Sequence, residues 1–286
     1  VVVVGGGPSG CELAGSLNEL MRHSLERDFK QLDPKQCKVT LVDPGDRVLR
    51  AMDPSISKAA QSYFQKAGVE LLLGGRVQQI SEGQLVVTTA DGNQSLEAAT
   101  ICWTAGVRAS HLGKVLGDAT GCPVDKGGRV VVEPDFSIQG HPEIRVIGDL
   151  CSYSHTADGK PLPGMAGPAV QMGGWVADDI VANLQGEPHK SFSWLDLGSM
   201  AMLGPLHAVA DFRGLRVSGV VGWLLWGLAH LAFMPATENR ISLLSKWLWA
   251  IATRERASML ITGHPNQHLA VDVGLEATQS PATITG

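Results

Sequence analysis

Apolar and polar positions change period several times along the 286 residues of the chain. Val1–Val4 is a continuous apolar run of the kind carried by a strand buried on both faces. After the turn Gly5–Gly10, the stretch Cys11–Leu25 shifts to a helical stripe of Leu13, Leu17, Leu20 and Met21. Lys38-Val-Thr-Leu-Val-Asp43 reads as a second strand, Pro54–Ala67 as a helix and Gly68–Leu73 as a third strand. The charged stretch Arg22–Gln36 reads as a longer helix plus loop. Arg76–Ala99 alternates across the turn signals Glu82-Gly83 and Asp91-Gly92, as antiparallel strands do. Thr100–Gly106 is a strand ending in a small-residue turn. Further on, Val130–Phe136 and His141–Ile147 read as strands, and a helix runs from Ala166 to about Leu184. Strands follow in Leu197–Gly204 and Ala208–Phe212. Two helices come last, Val220–Met234 and Ile241–Thr253, the second with Ile241, Leu244, Trp247, Leu248 and Ile251 at helical spacing. Strands alternating with helices predict an α/β fold around a parallel sheet.

The first turn carries the first chemistry. Gly5-Gly6-Gly7-Pro8-Ser9-Gly10 sits between a buried strand and a helix. There a G-x-G-x-x-G spacing allows a tight turn, a close backbone approach to a pyrophosphate and close helix–strand packing, with the helix N-terminus favouring the anion. Asp43, at the end of the second strand, suits the two ribose hydroxyls of an adenosine and repels a 2′-phosphate, so NADH is favoured over NADPH, moderated by Arg47 nearby. The spacing exceeds the usual ~20 residues by the Arg22–Gln36 extension. The other reading of Asp43 is a solvated carboxylate at a strand end.

Composition narrows the class. With 44% hydrophobic and 18% charged residues and a net charge of −5, nothing points to nucleic acid. The five cysteines show no CxxC spacing, so metal, redox-pair and disulfide-framework readings are weak and no metal site is expected. No Ser/His/Asp or Cys/His arrangement competes, and His155, His207 and His230 read as hydrogen-bonded structural histidines. Four of the seven tryptophans lie between Trp223 and Trp249.

The strand His141–Ile147 ends in Gly148-Asp149. A nucleotide module with a strand meander followed by such an element resembles the two-dinucleotide-binding-domain flavoproteins. Together with Ala166-Gly167-x-x-x-Gln171 and the Trp/His-rich C-terminus, nearly all of Val1–Gly263 resembles the type II NADH:quinone oxidoreductases, single-subunit and non-pumping. The resemblance implies FAD and NADH as cofactors, a membrane quinone as acceptor, and Gly5, Gly6, Gly7, Pro8, Ser9, Gly10, Asp43, Ala105, Gly106, Gly148 and Asp149 as cofactor-binding residues. Asp149 inherits the ribityl-holding role. Glu12 takes the family's place near the nicotinamide, a position that the helix dipole alone also stabilises. Gln171 matches the second glutamine of the family's AQxxxQ motif and becomes a quinone contact; its other reading is an amide lining a helix groove. Gly167 stands where the family has the first glutamine, which leaves the quinone open. The same resemblance makes Gly5–Gly10 the second glycine turn of a longer protein, with the FAD-binding turn preceding it.

Val220–Met234 is apolar almost all round yet shorter than the ~20 residues of a spanning helix. With the second helix and the basic residues Arg240, Lys246, Arg254 and Arg256, it fits a monotopic anchor at the lipid surface over 220–256, on the cytoplasmic face. The other reading buries this hairpin in a homodimer or in the core. The expected organisation is therefore a Rossmann-like NAD(H) domain with a β-meander over 1–106 and part of a discontinuous FAD domain over 107–186. C-terminal strands and a helical membrane-association hairpin follow over 187–262, and a disordered tail over 263–286. Two rival functions stand beside the first: a related reductase of a biosynthetic naphthoquinone, and a non-catalytic, membrane-associated NADH-binding module.

Overall fold

The computed structural model describes residues 1–24, 37–188, 191–234 and 236–253. The expected tail over 263–286, Arg254, Arg256 and most of the Arg22–Gln36 extension lie outside them. The described residues form two compact units: those of Val1–Ala105 with those from Ser199 to Thr253, and those of Gly106–Gly198.

The first unit opens with β1 (Val2–Val4), α1 (Pro8–Glu19, running into a π turn over Leu20–Ser24), β2 (Thr40–Asp43), α2 (Pro54–Ala67) and β3 (Glu70–Leu73). A meander of β4 (Arg76–Ser81), β5 (Gln84–Thr89) and β6 (Gly92–Glu97) leads to β7 (Ile101–Trp103). The parallel sheet has the order β3-β2-β1-β7, with Val3 opposite both Leu41 and Cys102. Its centre explains the valine run. Val3 faces a core of Leu41, Ala14, Ile56 and Phe64, while Val2 and Val4 face Val77, Leu85 and Val87 from the meander. A strand covered on both sides has no polar face to show. Helix α2 is bounded by local chemistry. Asp53 caps it by accepting from the Ser55 amide at 2.9 Å, Pro54 opens it, and Gly68 closes it at φ 77°.

The second unit contains α3 (Leu112–Thr120), β8 (Val130–Val131), β9 (Ser137–Ile138), β10 (His141–Arg145), a 3₁₀ turn at Gly148–Leu150, β11 (Cys151–Ser152) and α4 (Ala166–Gln185). Strand β8 pairs in parallel with β11, and β9 pairs antiparallel with β10. Two sequence expectations shrink here. The run Val130–Phe136 yields only two strand residues before the chain turns, with Phe136 at φ 65°, and the strand from His141 ends at Arg145 rather than Ile147. The turn is fixed by aromatic packing: buried Phe136 stacks on Tyr153 and meets Trp175 and Phe192. Arg145 ends β10 by reaching the buried carboxylate of Asp179 on α4 at 2.6 Å. Paired, that carboxylate is tolerated; removal of either partner strands a charge.

From Ser199 the chain returns to the first unit as an antiparallel sheet of β12 (Ser199–Gly204), β13 (His207–Phe212) and β14 (Leu215–Ser218), then α5 (Gly219–Phe233) and α6 (Thr237–Thr253). The expected third segment, 187–262, is therefore divided, because Ala201, Leu203 and Val209 share the core of Val3 and Leu41. Glycines set the spacing. A Cβ on Gly15 of α1 would stand 1.9 Å from the Leu203 carbonyl oxygen, and one on Gly222 of α5 would stand 2.4 Å from that of Ala208. The helix expected from Ile241 starts earlier, with Thr237–Arg240 as the first turn of α6. Arg240 folds back to donate to the carbonyls of Met234 (2.9 Å) and Ala232 (3.2 Å) at the end of α5. Trp247 lies over Gly227 and against Trp226. Among the described residues no helix is long and apolar enough to cross a membrane.

Candidate functional site

The glycine turn between β1 and α1 is closed by its own backbone. Gly5 has φ 113°, and a Cβ there would lie 2.8 Å from Thr104 and Ala105. At Gly10 a Cβ would lie 1.8 Å from the Gly5 carbonyl oxygen. The Thr104 hydroxyl, just past β7, is within 2.8 Å of the Val4 carbonyl and 3.1 Å of that of Gly5. Gly7 differs: nothing lies within 4 Å of where its Cβ would be, and Gly7, Pro8 and Ser9 are exposed. Two glycines are thus demanded by the fold, while the third leaves an open surface above the first turn of α1, whose amides have no intrahelical acceptor.

Asp43 stands beside this surface. Its Oδ2 accepts from the Gly6 amide at 2.6 Å and its Oδ1 from the Gly45 amide at 2.7 Å. Each oxygen keeps a second lone pair, and the side chain is half-buried, so it still presents acceptors outward. A Cβ on Gly6 would meet the carboxyl group at 3.1 Å. The Gly6 carbonyl in turn accepts from the Leu49 amide at 2.7 Å, and Leu49 is buried with φ 51°. Arg47 places a cation in the same loop; its Nε is buried without a partner among the described residues. Cys11 is buried under the turn, and burial, then the charges of Asp43 and Glu12, push its thiol up to about 12. It is a protonated packing group at neutral pH.

Glu12 sits in the second turn of α1, half-buried, and its Oε1 accepts from the Met202 amide of β12 at 3.1 Å. Ala105 is held at the glycine turn through Gly5, and Gly106 is exposed at φ 95°. The first unit thus brings together Gly5–Gly10, Asp43, Glu12 and Ala105.

The second unit holds the other candidates. Asp149 is exposed at the 3₁₀ turn, its Oδ1 3.4 Å from where a Cβ on Gly164 would stand, and Gly148 has φ 67°. Gln171 uses both ends of its amide: Nε2 donates to the Leu195 carbonyl at 3.0 Å and Oε1 accepts from the Leu195 amide at 2.9 Å. Each end of that amide keeps one further position, an N–H on Nε2 and a lone pair on Oε1. Gly167 is exposed, with nothing within 4 Å of its Cβ position. His155 and His230 bond to the carbonyls of Val132 (2.8 Å) and Trp226 (2.7 Å), and His207 stacks on Tyr63. All five cysteines are free, and no cluster of metal-ligating side chains occurs among the described residues. Leu49, Thr104 and Met202 were not legible as site residues, because they act through backbone groups or carry no distinctive motif.

One comparison decides the family. The pyridine nucleotide-disulphide oxidoreductase model matches residues 1–173. The chain belongs to that family. Within the family it is similar to the type II NADH:quinone oxidoreductases Ndh and NdhA of Mycobacterium tuberculosis. Identity to Ndh is 35% over 264 residues, and to NdhA 34% over 267, in both cases across 91% of this chain and 56% of the relative. A Staphylococcus saprophyticus type II NADH:quinone oxidoreductase is 29% identical over 219 residues, 77% of this chain and 53% of that protein. The chain thus spans about half the length of the curated relatives it matches. In fold it resembles NDH2 of Plasmodium falciparum, solved in complex with NADH, at a TM-score of 0.78 and 15% identity, over 90% of this chain and 66% of that one. A ferredoxin reductase of Rhodopseudomonas palustris aligns at a TM-score of 0.55 and 20% identity, over 73% of this chain and 46% of that one.

Proposed function

We propose that this chain binds NADH on its glycine turn and belongs to an FAD-dependent enzyme that passes electrons from NADH to a membrane quinone. One observation carries the reading: the open surface at Gly7–Ser9 with the Asp43 carboxylate fixed beside it. In this reading the α1 N-terminus takes the pyrophosphate, Asp43 takes the ribose hydroxyls, and Glu12, held by the Met202 amide, faces the nicotinamide. The residues present also fit a flavin. Asp149 offers an exposed acceptor carboxylate for ribityl hydroxyls, and Gly148 and Gly164 leave room for close backbone approach. When bound, FAD supplies the redox chemistry that links a hydride donor to a quinone acceptor, and the chain supplies position and electrostatics.

The hairpin of α5 and α6 supports the membrane part of the reading. Its outward side chains are apolar and exposed, Leu228 by 65%, Ile241 by 64% and Trp249 by 60%. An unpartnered apolar surface that includes Trp249 on short helices suits monotopic attachment, on the cytoplasmic face where NADH is supplied. Gly167, standing where the family's first glutamine would be with nothing within 4 Å of its Cβ position, is the basis of a second reading in which the acceptor is a biosynthetic naphthoquinone. Protein carrying bound FAD, held without oxygen, is expected to lose its flavin absorbance on adding NADH and regain it on adding a quinone. Bound flavin that stays oxidised under NADH contradicts the proposal, and turnover compared across ubiquinone, menaquinone and plastoquinone types separates the two acceptor readings.

A further inference from the structure

Within the second unit, Arg108, Ser110, His111, Lys114 and Lys126, together with the carboxylate of Asp125, open onto a cavity of about 300 Å³ at the start of α3. Its frame is fixed. The Ala109 amide donates to the Gly127 carbonyl at 3.0 Å, and Gly113 packs so closely that a Cβ would stand 2.3 Å from the Gly128 carbonyl oxygen. The Ser110 hydroxyl accepts from the Leu112 amide, so the charge of the cavity comes from side chains rather than from bare amides.

That charge has the wrong sign for its place. The N-terminal end of a helix disfavours cations, and the first turn of α3 contains no acidic residue. The nearby carboxylates are already engaged: Asp125 takes the Arg129 guanidinium at 2.8 Å and the amides of Gly127 and Arg129, and Asp118 takes Lys114 at 2.5 Å. Among the described residues, Arg108 and Lys126 have neither an ion pair nor a hydrogen-bond partner, and both are exposed. Cations gathered at a positive helix end around a formed cavity are stabilised by an anion placed between them.

We infer that this cavity binds a phosphate group, clamped by Arg108 and Lys126 and flanked by His111. The guanidinium offers a planar pair of donors for two phosphate oxygens, and the ammonium a compact charge. The group comes either from a soluble phosphate or from a phospholipid headgroup, and the site does not depend on the function proposed above. Inorganic phosphate is expected to raise the melting temperature of the protein by about 2–4 °C over chloride at equal ionic strength, the size of a ~1 kcal/mol ligand effect. Arg108→Gln/Lys126→Gln is expected to melt like the wild type in chloride and to lose that rise. Lys126→Gln alone, read by phosphorus NMR line broadening, keeps the test open if the double variant fails to fold. Vesicles of phosphatidylglycerol against phosphatidylcholine separate the sources. A preference lost in the variant assigns a lipid phosphate, and a preference kept, with the phosphate shift lost, assigns a soluble one. Equal phosphate effects in wild type and variant overturn the inference, as does the absence of any phosphate effect together with unchanged vesicle preference.

Discussion

At Gly10 the chain has no room for a methyl group, since the Cβ would fall 1.8 Å from the Gly5 carbonyl oxygen. Overpacking of this kind typically costs about 1–3 kcal/mol. Gly10→Ala is therefore expected to lower the melting temperature and abolish NADH binding together, because the turn opens as a unit. Gly7→Ala meets nothing in the fold, so it is expected to keep wild-type stability and lose NADH affinity by steric conflict with the ligand alone. Comparing thermal melts with NADH fluorescence titrations of the two variants checks both, and a Gly7→Ala protein that binds normally would remove the pyrophosphate from this surface. Much of this turn was legible in the sequence, because glycine spacing between a strand and a helix states a backbone requirement directly. What was hidden are the backbone partners: Leu49 at φ 51° and the Met202 amide reach Gly6 and Glu12 from loops and strands whose side chains carry no signature. Gln171 shows the same limit, since the motif points to its amide while its bonds to both backbone groups of Leu195 come from the fold.

Among the elements, those with strong local chemistry were readable to the residue. Helix α2 runs over Pro54–Ala67 as its Asp-Pro start and glycine end require. The meander follows its two turn signals. Elements decided by tertiary contacts were not. Strand β8 stops after two residues because Phe136 turns into an aromatic cluster, and Thr237–Arg240 joins α6 because Arg240 bonds back to the end of α5. The α5–α6 hairpin has an inner side fixed by glycines against β13 and Trp247, and an outer side with no protein partner among the described residues. Leu228→Glu/Trp249→Glu changes only the outer side. The pair is expected to leave the melting temperature nearly unchanged and to cut vesicle association at least tenfold, because each buried apolar side chain contributes about 1.5–3 kcal/mol. Co-sedimentation with lipid vesicles reads the loss, and undiminished association would assign the apolar face to another protein surface.

Across the molecule, the C-terminal sheet belongs with the unit that carries the glycine turn rather than standing apart from it. Glu12, Gly15 and Gly222 show how: one sheet touches α1 on one side and leads into α5 on the other. Sequence order alone places these segments almost two hundred residues apart, and only the shared core of Val3, Leu41, Leu203 and Val209 joins them. Everything proposed about electron transfer rests on the NADH site proposed for this unit. The most direct test is the ratio of the NADH and NADPH dissociation constants, measured by fluorescence titration for the wild type and Asp43→Asn. The carboxylate beside Gly6 is expected to make NADH bind at least about tenfold tighter than NADPH, some 1.4 kcal/mol, and the asparagine to shrink that ratio towards one by weakening NADH and relieving the repulsion of the 2′-phosphate. Equal affinities for the two nucleotides in the wild type, or a ratio untouched by the substitution, would contradict the assignment of this site.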